Sequence, residues 1–358
     1  MTVNQTSRRT GRAAGVVAVA LALGLGACSS SGADPEARSG GVPETIRWAQ
    51  IGEGKAEPAT IVRYDLGGIE AEERLGGAEI DFQPGFTASL PVIEALQAGE
   101  VDFSFATSTA VIYAVGAGIP IVPLGAYPLP KDEVDILVPE DSEIRSAADL
   151  VGKSVADQQG TTSTYSLSRY LDDAGLSFDD IEYTNLNVTD AAASFTGGSV
   201  DAWISWQPQA ELVKERTGAR ALEGVETYDW AFFIASQDFV DRYPEAAAEL
   251  VRIVRDAQRW IEADPEGAVA EFEGLGGFGD DPLESAVYQK LVEDSRLSYS
   301  GAGDIGVVTE QTAEEVQAAA DEFTKLGIYP EQVDVRSFLT DPKFDGIKAT
   351  VAQTLEQE

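Results

Sequence analysis

The chain has 358 residues, with 61 acidic against 25 basic side chains and no histidine, for a formal charge of −36 at pH 7. So acidic a composition excludes nucleic acid as a partner, because phosphates need neutralising lysines and arginines. One cysteine excludes an internal disulfide, and the missing histidine removes Cys–His and Ser–His–Asp catalysis with the commonest metal ligand, so neither an enzyme nor a metal centre is expected.

Residues 1–27 have the layout of an export signal: basic Arg8, Arg9 and Arg12, an apolar run over 13–25, then small residues. Thirteen apolar residues are too few to span a bilayer, which takes about 20. The run ends in Leu25, Gly26, Ala27, Cys28 and two serines, which resembles the lipobox of bacterial lipoproteins and implies cleavage before Cys28, lipidation of Cys28 and a lipid anchor on the extracytoplasmic face of the membrane. A leftover structural cysteine is the alternative, and the paired arginines leave the export route open. Removing 1–27 takes away three arginines and no acid, moving the charge to −39 over 331 residues, enough chain for two lobes. Salt confines surface charges to about 8 Å, so a small anion remains admissible wherever local donors favour it.

Residues 28–43 read as a flexible tether of serine, glycine, alanine and charge. Strands are expected at 45–51, 78–82 and 101–105, alternating with helices at 57–75, 89–99 and 107–116, an order that argues for a parallel α/β sheet with ligands beyond its carboxyl ends. Apolar strands at 119–126 and 134–138 flank Tyr127, Pro128, Leu129 and Pro130, a crossing between lobes. A second α/β set follows: strands at 153–157, 181–186 and 200–205, with helices at 165–174, 190–197 and 208–217. Near Tyr228 and Asp229 the chain crosses back into a strand at 231–235, and two crossings imply a hinge. Lobe 1 is then 44–129 with 230–358 and lobe 2 is 130–229. Helices at 244–263, 265–275, 282–296 and 312–326 form a helical tail.

Several expected loops follow strands and open helices, and three of them carry hydroxyls: Thr87 with Ser89, Thr107 with Ser108, and Thr161 with Thr162 and Ser163. Hydroxyls beside free N–H groups at the positive end of a helix dipole suit a small oxyanion. Each loop taken singly is also an ordinary N-cap; converging on one cleft, they would clamp an anion through charge-assisted bonds of roughly 1.5–3 kcal/mol each. Of the two neighbouring tryptophans, Trp203 is expected in the core and Trp206 in the cleft. Phe86, Tyr127, Tyr165 and Trp230 are weaker cleft candidates. The run Gly277, Phe278, Gly279, Asp280, Asp281 lacks the ligand spacing of a calcium loop.

The lipoprotein start, Ala56-Glu57-Pro58 after the first strand, Ala88-Ser89 with the run from Val92 to Asp102, the stretch from Thr161 to Leu167, and Gly198 to Trp203 with Trp206 and Pro208 together resemble the ABC-transporter solute-binding proteins for taurine, aliphatic sulfonates and nitrate. The resemblance runs over about 45–240. It implies a type II periplasmic-binding-protein fold, in which two α/β lobes close on a ligand that is handed to a membrane permease, and no cofactor. It also implies that Ser89, Thr107, Ser108, Thr161 and Thr162 hold a sulfonate and that an acid, Asp229 first and Glu57 second, meets the ammonium of a taurine-like ligand. Asp229 as a plain turn residue stays open. Many relatives carry an acid where this chain has Gln207, so the ligand's identity stays open too. The receptor is expected to be a monomer. The alternatives are an envelope lipoprotein that senses or scaffolds, and a receptor for another ligand such as nitrate or a thiamine precursor.

Overall fold

Residues 41–51, 55, 57–86, 88–278 and 281–357 are described by a computed structural model; the export signal, Cys28 and Thr87 lie outside the described residues. The chain opens with β1 (Thr45–Ile51), then α1 (Pro58–Arg63), a 3₁₀ turn at Leu66–Gly68, and α2 (Ala71–Arg74). One helix was expected over 57–75. The backbone breaks it, with Asp65, Gly67, Gly68 and Glu70 at φ of 49°, 66°, 63° and 50°. The apolar spacing survives the break because Ile61, Val62, Ile69, Ala71 and Leu75 all reach one core.

β2 (Glu79–Phe86), α3 (Ser89–Ala98), β3 (Phe103–Thr107), α4 (Ser108–Gly116) and β4 (Ile121–Pro128) follow. The second sheet takes β5 (Val134–Val138), β6 (Ser154–Asp157), β7 (Glu182–Asn185), β8 (Ala202–Trp206) and β9 (Arg220–Ala221), with helices α5 (Thr162–Asp173), α6 (Val188–Thr196) and α7 (Gln209–Thr217) between them. The chain then returns to the first sheet as β10 (Trp230–Ser236) and continues through α8 (Gln237–Arg242), α9 (Pro244–Ala263), α10 (Pro265–Gly274), α11 (Pro282–Glu293), α12 (Glu310–Lys325), α13 (Val335–Leu339) and α14 (Asp345–Leu355).

The strand orders are β2-β1-β3-β10-β4 and β7-β6-β8-β5-β9. The first three strands pair in parallel as expected, β1 with both β2 and β3, whereas β10 runs antiparallel to β3 and β4, and β5 antiparallel to β8 and β9. The connectivity explains it. A strand that arrives from the other lobe enters at the hinge, beside the carboxyl ends of the parallel strands, and so must run against them. The same geometry puts those carboxyl ends, with the loops that follow them, between the two sheets.

The first sheet is covered on both faces, as a buried α/β sheet requires. On one face Trp48, Phe103 and Phe233 pack with α1, α9, α10, α11 and α14. On the other, α3, α4, α12 and α13 bury Val92, Val111, Val316 and Val335. In the second lobe α5 covers one face of the sheet and α6 with α7 the other.

Candidate functional site

A cavity of about 290 Å3 lies between the lobes. From the first sheet it takes Trp48, Gln50, Phe103, Phe105 and Phe233, and from the start of α1 it takes Glu57. From the second lobe it takes Trp206, Gln207, Pro208 and one face of α7, where Gln209, Leu212 and Arg216 recur at helical spacing. Helices α9 and α11 and the segment after them close it with Gln258, Glu284, Tyr288 and Tyr299. The wall is aromatic with a few convergent polar groups, the usual character of a small-molecule site, and its volume sits near the low end of their range of about 300–1,000 Å3. A wider vestibule of about 740 Å3 shares Gln50, Gln209, Leu212 and Arg216 with this chamber and adds Arg63, Tyr64, Phe86, Trp203 and Phe272. Among the described residues lining the chamber, Arg216 is the one cation; its guanidinium is held by Asp281 at 2.7 Å. Glu284 is engaged by Lys55 at 2.5 Å.

The hydroxyl loops assemble elsewhere. Ser108, at the start of α4, and Thr162, at the start of α5, both donate to the carboxylate of Asp229, Thr162 at 2.5 Å, and the Trp230 N–H adds a third bond at 2.7 Å. Asp229 is 4 % exposed. Burial lifts its carboxyl above the ordinary range, against the pull of these donors. Thr161 donates to Gln158 O and shares a bond with Ser163, while Ser163 and Thr164 donate to the buried Asp157, which Tyr183 also contacts. Ser89 Oγ accepts from the Thr107 N–H, and the Thr107 hydroxyl pairs with Thr109. Of these helix-start hydroxyls, those of Ser108, Thr162, Ser163 and Thr164 are thus spent on the chain's own carboxylates, Asp229 and Asp157.

Beside the chamber runs an ionic cluster. Arg296 bonds Asp135 at 2.8 Å and Glu211 at 3.2 Å, and Gln207 donates to Asp135 at 2.9 Å while accepting from the Glu211 N–H at 3.0 Å. Among the described residues no group of three or more His, Cys, Asp or Glu is placed to hold a metal ion, and no helix is long and apolar enough to cross a membrane.

A family model described as NMT1/THI5 like matches residues 76–268, more than half of the chain. The chain belongs to the NMT1/THI5-like family. A putative aliphatic sulfonates-binding protein of Escherichia coli K12 is 31% identical over 260 residues, covering 72% of this chain and 78% of that one. A taurine-binding periplasmic protein of the same organism is 26% identical over 217 residues, 59% of this chain and 65% of that one. The solved alkanesulfonate-binding protein from Xanthomonas axonopodis pv. citri, bound to MOPS, superposes with a TM-score of 0.70 at 26% identity, over 82% of this chain and 97% of that chain. The fold is therefore that of the periplasmic binding proteins.

In this NMT1/THI5-like member, the chamber brings together Glu57 and Trp206 of the residues singled out from sequence, with Tyr127 in its wall and Phe86 in the vestibule. It does not bring in Ser89, Thr107, Ser108, Thr161, Thr162, Ser163 or Asp229, which line neither cavity. Trp203 is 1 % exposed, in the core at the back of the vestibule. Tyr165 packs on Phe323 and Trp230 bonds Glu315. Sequence reasoning missed Gln50, Arg216, Gln258 and Tyr299. Gln258 had a signal, a polar residue inside the apolar stripe of α9 between Val254 and Ile261. Gln207 has a local reason: an acid there would stand against Asp135, whereas the amide donates to Asp135 and still accepts from the Glu211 N–H.

Proposed function

We propose that the chain is the extracytoplasmic solute-binding receptor of an ABC importer, lipid-anchored through Cys28, and that it takes a small organic sulfonate, such as taurine or an alkanesulfonate, in the chamber between its lobes. The observation that carries this reading is the chamber itself, which is walled from both lobes by Glu57 and Gln50 on one side and Trp206, Gln209 and Arg216 on the other. A ligand seated there touches both halves, so its binding free energy favours the closed form. The printed names of the relatives support the ligand class. Arg216 supplies positive charge for the sulfonate where chamber meets vestibule, and the aromatic wall accepts the rest of the molecule. Transport rather than catalysis fits the printed names of the relatives, which are those of binding proteins.

The test is a melting-temperature panel of taurine, hypotaurine, short alkanesulfonates, nitrate and sulfate. A ligand at 100 times its Kd stabilises by about 2.7 kcal/mol, so at least one sulfonate raises the transition by several degrees while sulfate and nitrate leave it nearly unchanged. Arg216→Ala lowers sulfonate affinity roughly tenfold or more, the loss of one charge-assisted contact. A panel without any sulfonate shift rejects the reading.

A further inference from the structure

The chamber carries polar atoms that nothing among the described residues satisfies. Gln258, on α9, is 1 % exposed and Tyr299 is 8 % exposed. Both line the chamber, and among the described residues neither Gln258 Oε1 nor the Tyr299 hydroxyl has a hydrogen-bond partner. The neighbours fix which way the Gln258 amide is turned. Tyr127 donates its proton to Ser298 O at 2.8 Å, and burial holds that phenol protonated. Towards Gln258, 3.2 Å away, the Tyr127 oxygen can therefore only accept, so the amide must present its N–H there. Oε1 is left as a bare acceptor. Such an atom is costly to bury unpaired, and an alkyl tail packed against it leaves it unpaired. A ligand N–H or O–H satisfies it. The carboxylate of Glu57 in the same wall, and the aromatic faces of Trp48, Phe103 and Trp206, add attraction for a cation.

Resting on the sulfonate-receptor reading, we propose that Gln258, with Tyr299, determines specificity by reading the distal group of the ligand, and that the receptor selects sulfonates bearing a distal N–H or O–H donor, an ammonium above all, over alkanesulfonates of equal length and shape. The donor end lies in the chamber and the sulfonate end at its mouth by Arg216.

Calorimetry on the whole protein with matched pairs tests this: ω-aminoalkanesulfonates of two to five methylenes against the alkanesulfonates in which methyl replaces the ammonium. The wild type prefers the amino member of at least one pair by roughly tenfold to a hundredfold, the range set by one unpaired buried acceptor. Gln258→Leu brings that ratio close to one by weakening the amino ligand alone. Tyr299→Phe lowers the ratio less and does not lower the melting temperature of the free protein, since it removes a hydroxyl that has no partner among the described residues; it serves if Gln258→Leu fails to fold. Binding of both members with no preference at any length, as when water satisfies Gln258, overturns the inference and leaves the receptor reading standing. A preference that survives both substitutions also overturns it. No binding by any member removes the receptor reading and this inference with it.

Discussion

Asp229 sits in the second crossing between lobes and receives a hydroxyl from each: Ser108 of α4 and Thr162 of α5. One buried carboxylate thus latches two helix starts across the hinge. Asp229→Ala strands two buried hydroxyls, each unmade bond costing about 1–3 kcal/mol, and the melting temperature is expected to fall by several degrees. Because Asp229 lines neither cavity, the affinity ratio between an aminosulfonate and its alkyl isostere is expected to stay unchanged; calorimetry showing selective loss of the amino ligand would instead give Asp229 the ammonium. A second carboxyl, Glu133, is 3 % exposed, with Oε2 unpartnered among the described residues. Burial first, and then the charge of Asp229, push it up to about 8 against the pull of Arg296. Its folded pKa lies above its unfolded value, so the folded state holds a proton that the unfolded state releases. Its contribution to stability is full below the ordinary Glu value and is lost as pH rises towards about 8. Glu133→Gln is therefore expected to melt like the wild type near pH 4.5 and above it at pH 8; parallel melting curves across that range would show that Glu133 ionises normally.

At the scale of elements, most strands and helices were legible because their apolar spacing and caps agree, as in α3, which ends at Gly99 with φ 71°, and in α9, whose bounds coincide with the apolar stripe and with Pro244 at its first position. What was illegible depended on partners distant in sequence. The helix expected over 57–75 breaks at Gly67, whose left-handed backbone faces the Trp260 indole of α9; an added Cβ would stand 2.6 Å from its Cδ1. The nearby Gly68 is also left-handed, at φ 63°, with nothing within 4 Å. Gly68→Ala is expected to cost only the conformational penalty of about 1–2 kcal/mol. Gly67→Ala adds displacement of Trp260 and is expected to cost at least about 1 kcal/mol more, of the order of an overpacked core. Paired urea melts check this, and equal midpoints would remove the indole from the account. The site divided along the same line. Glu57 and Trp206 lie beside recognisable local motifs. Tyr299 comes from a segment without one, and the hydroxyls of Ser108, Thr162 and Ser163 could not reveal that carboxylates of the same chain, distant in sequence for the first two, accept their bonds.

Across the whole molecule, Arg296 is a link between the two lobes. It follows α11, which packs with the first lobe's core, yet it bonds Asp135 of β5 and Glu211 of α7 in the second. Glu211 has no exposed side-chain surface, and Lys214 is its other cationic partner. Through Gln207 the same cluster touches the chamber wall. Arg296→Met leaves two acids facing each other without their shared cation, and removing one partner of a buried pair costs about 3–5 kcal/mol. The melting temperature is expected to fall, by roughly 2–4 °C per kcal/mol if the chain behaves as domains of 150–250 residues do. Stability alone does not separate a local defect from a hinge effect. The apparent Kd of a closing receptor is its intrinsic Kd divided by the fraction in the competent form, so a variant that opens the lobes weakens every sulfonate by one common factor. Small-angle scattering of the free variant is then expected to give a larger radius of gyration than the free wild type, with saturating sulfonate bringing the two together. Equal radii and unchanged affinities in a variant that nonetheless melts early would confine Arg296 to holding the second lobe's edge.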